Sequence, residues 1–422
     1  MGKIQKIEAR QLIDCKCRPM VEVDIITDDG YVGTGSAPTG SSVGMFESCV
    51  LRDNDPAQWN GMSVHAAVAN VKDIIAPALI GMDIYDQAGI DNRMIELDGT
   101  EFKSRLGGNS IYSVSVAALR AAAASEDMTV YRYLAGHDIK TVPVPTFNMI
   151  NGGLNFGIRQ AFNEFIFVPY GADSPDQCVE MGCALFRKLG SVIENSGYTS
   201  YVGRSYGYTA PSEDPGVILS LMQKTVEECG YDGKVCFALD CASGEMYNKE
   251  DHSYYLNGRH VSGDELLEFM VGLTEKYPFL FVEDLFDEND WAHFVKAKKR
   301  LNRTLVIGDD LTATSPGRIK KAYELQAVDG FILKPNQIGT LTEAFAAYDF
   351  AKAHHMLAIT SGRAGGVIGD IVMDLAVGFE LPFMKNGAPR SGERIDKLNF
   401  IMRASDKTPG CRLASLDGIM KK

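Results

Sequence analysis

Four charged residues close four successive strand-like runs in the second half of the chain. They are Asp240 in KVCFALDCASGEMY, Glu283 in FLFVEDLFDENDW, Asp309 in TLVIGDDLTAT and Lys334 in DGFILKPNQIGT. Each run is apolar, β-branched or aromatic and stops at its charge. In a parallel barrel the C-terminal ends of the strands share one face, where catalytic groups collect. Three carboxylates there form a hard oxygen set suited to Mg²⁺. A lysine beside a divalent cation loses its proton more readily and can act as a base. The set suits removal of a proton next to a metal-bound carboxylate. The competing reading makes Asp309 or Asp310 a turn cap ahead of Leu311-Thr312.

The elements that must position these groups are legible in outline. Residues 3–36 alternate as strands, with a turn at Asp28-Asp29-Gly30. Helical patterns cover Val64–Ile80 and Ser110–Ser125, the second apolar on most of its circumference and so expected to be buried. Val142-Pro143-Val144-Pro145 reads as a boundary, dividing the chain into 1–138 and 139–422. Beyond it, apolar runs at 164–168, 235–240, 279–283, 304–308, 330–334 and 356–360 alternate with helical patterns that include Asp264–Lys276, Pro316–Leu325 and Leu341–His354. Such alternation predicts an α/β fold with a parallel barrel.

Bulk properties exclude several function classes. The 422 residues are 45% hydrophobic, enough for two or three domains. A formal net charge of −13 argues against nucleic acid and against an anionic membrane surface, and an anionic substrate would need a local positive patch. No apolar run approaches the ~18 residues of a membrane span, and the N-terminus lacks a signal-peptide block, so a cytoplasmic protein is expected. The nine cysteines lack CxxC spacing, and Cys15-Lys16-Cys17 reads as free thiols. Gly33-Thr34-Gly35 followed by Gly40 matches a phosphate loop only weakly and precedes no clear helix. His354-His355 reads as solvated. Arg363, in Thr360-Ser361-Gly362-Arg363-Ala364-Gly365-Gly366, sits in a glycine-rich loop that can offer N–H groups and a guanidinium to a phosphate.

Long segments of the chain resemble the enolase (phosphopyruvate hydratase) family nearly end to end. They include PMVEVDIITDDG, IDNRMIELDGTEFKSRLGGNSIYSVSVA, PVPTFNMINGG, VEDLFDENDWAHF, GDDLTATSPGRI, LKPNQIGTLTEA and KNGAPRSGERIDKLN. The resemblance implies an N-terminal α+β capping domain on a modified (β/α)8 TIM-like barrel. It implies Asp240, Glu283 and Asp309 as ligands of a first Mg²⁺, and Thr39 as a ligand of a possible second. Lys334 becomes the general base, Lys385 the contact to the substrate carboxylate, Glu164 a further active-site acid and Arg363 the phosphate clamp, with Ser361 beside it. Enolase-superfamily sites pair a lysine or histidine base with Mg²⁺ to stabilise an ene-diolate. A homodimer or higher homo-oligomer is implied too.

The departures fall in that same site. The family loop VGDEGGFAP is here Val202-Gly203-Arg204-Ser205-Tyr206-Gly207-Tyr208-Thr209-Ala210-Pro211, one residue longer and without both acids. Gly362 stands for the histidine of SHRSG and Ala364 for its second serine. Asn155 stands for the histidine of GGSHAG, and SRGNP has become Cys15-Lys16-Cys17-Arg18-Pro19. The half-site that removes an α-proton is kept, and the half-site that handles a leaving hydroxyl is rebuilt. Acid assistance is worth roughly 10²–10⁴ in rate, so slow dehydration of 2-phosphoglycerate is expected. Ser205 is then expected beside Lys334, Lys385 and Glu164 among the catalytic residues, while Arg204 and Asn155 would bind a small substrate bearing an extra anionic group. The expected activity is that of a lyase on a phosphorylated or phosphono carboxylate, similar to the enolase-like family that forms carboxyphosphonoenolpyruvate. The alternatives are ordinary phosphopyruvate hydratase and a non-catalytic binding protein, the latter disfavoured by intact Lys334, Lys385 and the three acids.

Overall fold

The computed structural model describes residues 2–40, 44–153 and 159–421. Strands β1 (Ile4–Ile13), β2 (Pro19–Thr27) and β3 (Val32–Ser36) form an antiparallel meander, with Ile7 opposite Ile25 and Val23 opposite Gly35. Their alternation puts Ile4, Ile7, Val21, Val23 and Ile25 on the buried face. Helix α1 (Gly108–Ser125) lies on that face and is buried along most of its length, as its composition predicts. The approach is close enough to explain two glycines. A Cβ on Gly33 would stand 2.1 Å from the Ala117 carbonyl oxygen, and one on Gly35 would stand 2.0 Å from that of Ser113. The Gly33-Thr34-Gly35 pair is thus a helix-packing device. The pattern over Val64–Ile80 is helical from His65 to Leu79, with a π turn at Val71–Ile75 between His65–Asn70 and Ala76–Leu79.

Among the described residues, eight strands close the barrel. They are β4 (Val144–Gly153), β5 (Gln160–Val168), β6 (Cys236–Asp240), β7 (Phe279–Glu283), β8 (Leu305–Gly308), β9 (Gly330–Leu333), β10 (Leu357–Ser361) and β11 (Phe383–Lys385). Strands β6 to β11 run parallel, and β11 closes on β4 with Lys385 opposite Thr146. One strand departs from the all-parallel expectation: β5 runs antiparallel to both β4 and β6. Helices α2 (Pro175–Asn195) and α3 (Pro215–Cys229) follow it in succession. The later helices α4 (Gly263–Lys276), α5 (Trp291–Arg300), α6 (Pro316–Glu324), α7 (Leu341–Ala353), α8 (Val372–Gly378) and α9 (Gly392–Asp406) alternate with strands. The Val142–Pro145 run overlaps the start of β4, whose first two residues are Val144 and Pro145.

Period-two alternation builds both core and mouth. Ala238, Phe281, Ile307, Ile332, Ile359 and Phe383 belong to one buried cluster, with the Phe281 and Phe383 rings stacked at 5.6 Å. Two residues further along each strand stand Asp240, Glu283, Asp309, Lys334, Ser361 and Lys385. The apolar residue plugs the barrel, and its successor on the same face reaches the mouth. On β5 the order inverts: Ile166 is in the plug, and Glu164, two residues before it, is level with Asp240. All nine cysteines are free, and His354 and His355 are exposed at the end of α7. Among the described residues no helix is long and apolar enough to cross a membrane.

Candidate active site

Ligand atoms of Asp240, Glu283 and Asp309 all lie within 4.8 Å of one another. The register supplies this: Asp240 pairs with Glu283 across β6 and β7, and Asp309 follows β8. All three carboxylates are buried, and two lysines answer their charge. The Lys385 ammonium donates to Asp240 Oδ2 at 2.9 Å and to both Glu283 oxygens at 2.8 and 2.7 Å, and stands 3.2 Å from Glu164 Oε2. The Lys334 ammonium donates to Asp309 Oδ2, whose other oxygen accepts from Gln337 at 2.9 Å. Ammonium groups placed against three hard carboxylates show that this pocket attracts positive charge, and the donor set suits a divalent cation.

Electrostatics follow from burial and these pairings. Burial raises the pKa of Glu283 well above the usual carboxylate range, with Asp240 adding to it. Asp240 is raised by burial against the pull of Lys385. For Asp309, Lys334 and Lys385 outweigh burial and hold its carboxyl low. Burial works against the charge of both lysines, yet Asp309 raises Lys334, and Asp240 and Glu283 raise Lys385. A second acidic group lies alongside, made of Asp284, Asp309 and Asp310. Asp284 accepts the backbone N–H groups of Asp309 and Asp310 at 2.9 and 2.6 Å, and burial together with Asp309 pushes Asp310 up to about 7.

These groups open on a cleft of about 690 Å³, whose walls include Glu164, Arg204, Ser205, Lys334, Ser361, Arg363 and Lys385. Arg204 is exposed at the mouth. Ser205 is buried, and its carbonyl accepts from Arg394 at 2.7 Å. Tyr206, at φ 67°, anchors the loop through its hydroxyl on the Cys15 carbonyl at 3.0 Å. Arg363 is buried and is gripped by Glu47, at 2.8 and 3.1 Å. The Thr39 hydroxyl donates to Asp14 Oδ2 at 3.2 Å, and its backbone pairs both ways with Gly365. Asn155 lies outside the described residues.

Several cleft residues escaped the sequence reading. Asp284 and Asp310 had a signal, since each doubles an acid already singled out at a strand end. Glu245, raised by burial and by Asp240, follows β6 by five residues. Glu47 and Lys16, and Lys397 in the adjoining space, arrive from other elements and leave no local signature.

Comparison with known proteins agrees with this geometry. The family description "Enolase, C-terminal TIM barrel domain" matches residues 139–413, and "Enolase, N-terminal domain" matches residues 4–134. The enolase of Tropheryma whipplei (strain Twist) is 37% identical over 410 residues, covering 96% of each chain. That of Methanosarcina barkeri is 39% identical over 407 residues, covering 96% of this chain and 94% of its own. That of Methanopyrus kandleri is 38% identical over 415 residues, covering 97% of each. With a capped barrel, a carboxylate trio and two lysines at its mouth, the chain belongs to the enolase family and is a carbon–oxygen lyase similar to phosphopyruvate hydratase.

Proposed function

We propose that the chain is a Mg²⁺-dependent enolase-type lyase that converts 2-phosphoglycerate to phosphoenolpyruvate. The observation that carries this reading is the convergence of Asp240, Glu283 and Asp309 with Lys334 and Lys385 around one cleft, in a chain whose aligned relatives are named enolase. Lys334, at the end of β9, is the base that takes the α-proton. Lys385, on β11, meets the substrate carboxylate and the negative charge it gains, and Glu164 helps to orient that ammonium. Arg363 and Ser361 receive the phosphate. Mg²⁺ on the three carboxylates supplies positive charge that makes the α-proton easier to remove. The second acidic group and the nearby Thr39 segment are the place for a second ion.

A second reading is favoured by one observation: Lys16, Arg18, Arg204 and Arg363 share the wall of the cleft. Such a wall suits a substrate with a further anionic group, as in carboxyphosphonoenolpyruvate formation. Following phosphoenolpyruvate absorbance and α-proton exchange from deuterated solvent, with Mg²⁺ and 2-phosphoglycerate, separates the readings. Exchange with product supports the first. Exchange whose product requires an added phosphonate supports the second. No exchange in either setting refutes both.

A further inference from the structure

We infer that Lys397 is the proton donor to the departing β-oxygen, admitted to the site by the missing side chain of Gly362. The inference rests on the proton-abstraction reading above and names the group that completes it.

Helix α9 places Lys397 where it can act. The buried face of α9 runs through Glu393, Arg394, Lys397, Leu398, Ile401 and Ala404. The later turns are apolar, as a helix packed on a barrel requires, but the first two turns bury charge. Burying an ammonium without a partner is costly, so such a group is retained for a reason. Lys397 is 3% exposed, and among the described residues no ion pair or hydrogen bond of its ammonium is found. Burial lowers its pKa, with Arg394 adding to this, while Asp370 supports its charge from beyond hydrogen-bond distance. An ammonium lowered in this way is a better acid near neutral pH than a free lysine.

Gly362 decides the geometry. A Cβ there would lie 2.5 Å from Lys397 Nζ, so a side chain at this position would displace the end of the lysine from where it stands. Behind the main cleft lies a side chamber of about 60 Å³, lined in part by Lys397, Thr146, Asn148, Asn386 and Gly362. A single water needs only ~10–15 Å³ of such space. The chamber is polar and under-satisfied: Thr146 Oγ1, both polar atoms of the Asn148 side chain and Asn386 Oδ1 are buried without a hydrogen-bond partner among the described residues. It can therefore receive a hydroxyl and the water it becomes. Glu164, Ser205, Arg363 and Lys385 line both spaces. Lys334 lines the main cleft and Lys397 the side chamber, so base and acid would meet the substrate from two adjoining spaces.

The step balances. Lys334 takes the α-proton, and the C–H electron pair becomes the new C=C bond. The Cβ–O bond breaks, its pair stays on oxygen, and a proton from Lys397 makes that oxygen water. Lys334 is left charged and Lys397 neutral, and exchange with solvent restores both.

The test compares wild type with Lys397→Met on 2-phosphoglycerate and on its 3-chloro analogue, whose chloride leaves without a proton. Loss of the donor should lower phosphoenolpyruvate formation from 2-phosphoglycerate by roughly 10²–10⁴. Solvent exchange of the α-proton and elimination from the chloro analogue should stay within about threefold. Retained chloride loss also shows that the variant is folded. Turnover of 2-phosphoglycerate within tenfold of wild type overturns the inference and moves the role to Glu245. Equal losses on both substrates, or a change confined to KM, overturn it in favour of substrate holding. Wild-type enzyme that exchanges the α-proton without expelling hydroxide also overturns it. Wild-type enzyme that shows no exchange refutes instead the proton-abstraction reading on which the inference stands.

Discussion

Glu47 and Arg363 form a buried two-pronged ion pair that ties the segment after the first sheet to the loop after β10, 316 residues away. Each carboxylate oxygen faces one guanidinium nitrogen, the geometry a bound phosphate would also offer. A phosphate received by Arg363, as proposed above, would therefore compete with an internal anion. Removing one partner of a buried pair costs about 3–5 kcal/mol. Glu47→Ala should lower the urea unfolding free energy by that order, and inorganic phosphate should restore more stability to the variant than it adds to wild type. An unchanged unfolding midpoint would show that the pair contributes little.

Lys334→Ala should abolish exchange of the α-proton of 2-phosphoglycerate with deuterated solvent, whereas Ser205→Ala should leave it within a few-fold. Proton NMR of the recovered substrate reads both. Exchange that survives without Lys334 would move the base elsewhere, with Glu164 next in line because it stands level with Asp240.

Arg204 is the exposed cation of the rebuilt loop, so its effect should depend on the ligand. Charge-assisted hydrogen bonds are worth roughly 1.5–3 kcal/mol, and 1.4 kcal/mol is tenfold in affinity. Arg204→Ala should therefore weaken a ligand with a second anionic group by roughly 10–100-fold and barely affect 2-phosphoglycerate. Calorimetry on both ligands checks this. Equal losses would reduce Arg204 to a general field, and no loss for either would return it to solvent.

Asp374 on α8 offers a pH test away from the cleft. Burial raises its carboxyl from the ordinary 3.8 to about 6, against the pull of Arg120. The folded form thus holds this proton more tightly than the unfolded one. Its contribution to stability is full below about pH 4 and is lost as pH rises from there through about 6. Urea unfolding should show stability falling across that window by a few kcal/mol, and Asp374→Asn should flatten the fall. Asp310, raised to about 7, contributes with the same sign and should leave a residual slope. An identical profile for Asp374→Asn would count against a buried, protonated Asp374.

The part of the site legible in the sequence was the part built by alternation. Asp240, Glu283, Asp309 and Lys334 each follow, by two residues, a member of the barrel plug, so local pattern and final position agree. Strand β4 was hidden because VPTFNMINGG carries proline, asparagine and glycine, and β11 because it has three residues. Alternation has no direction, so the reversal of β5 could not be read from it. Gly33 and Gly35 show the same ambiguity in another form, since close helix packing and a phosphate loop both call for a bare backbone. Glu47 and Lys397 depend on how distant elements approach, which local pattern does not encode.

The reversal of β5 has a consequence for how such an enzyme can change. Because β5 descends, α2 climbs back to the mouth and α3 descends again, so the link between these helices hangs over the cleft. That link carries Arg204, Ser205 and Tyr206; besides the Arg394–Ser205 and Tyr206–Cys15 hydrogen bonds, it meets the barrel sheet through the short pairing of Tyr208 and Thr209 with Ile150 and Asn151. Residues can be inserted there without shifting the register of any barrel strand. The link that carries Arg204 is thereby a separate segment from the strands that hold the acids and lysines. New specificities can be tried on the one while the proton chemistry on the other is inherited intact.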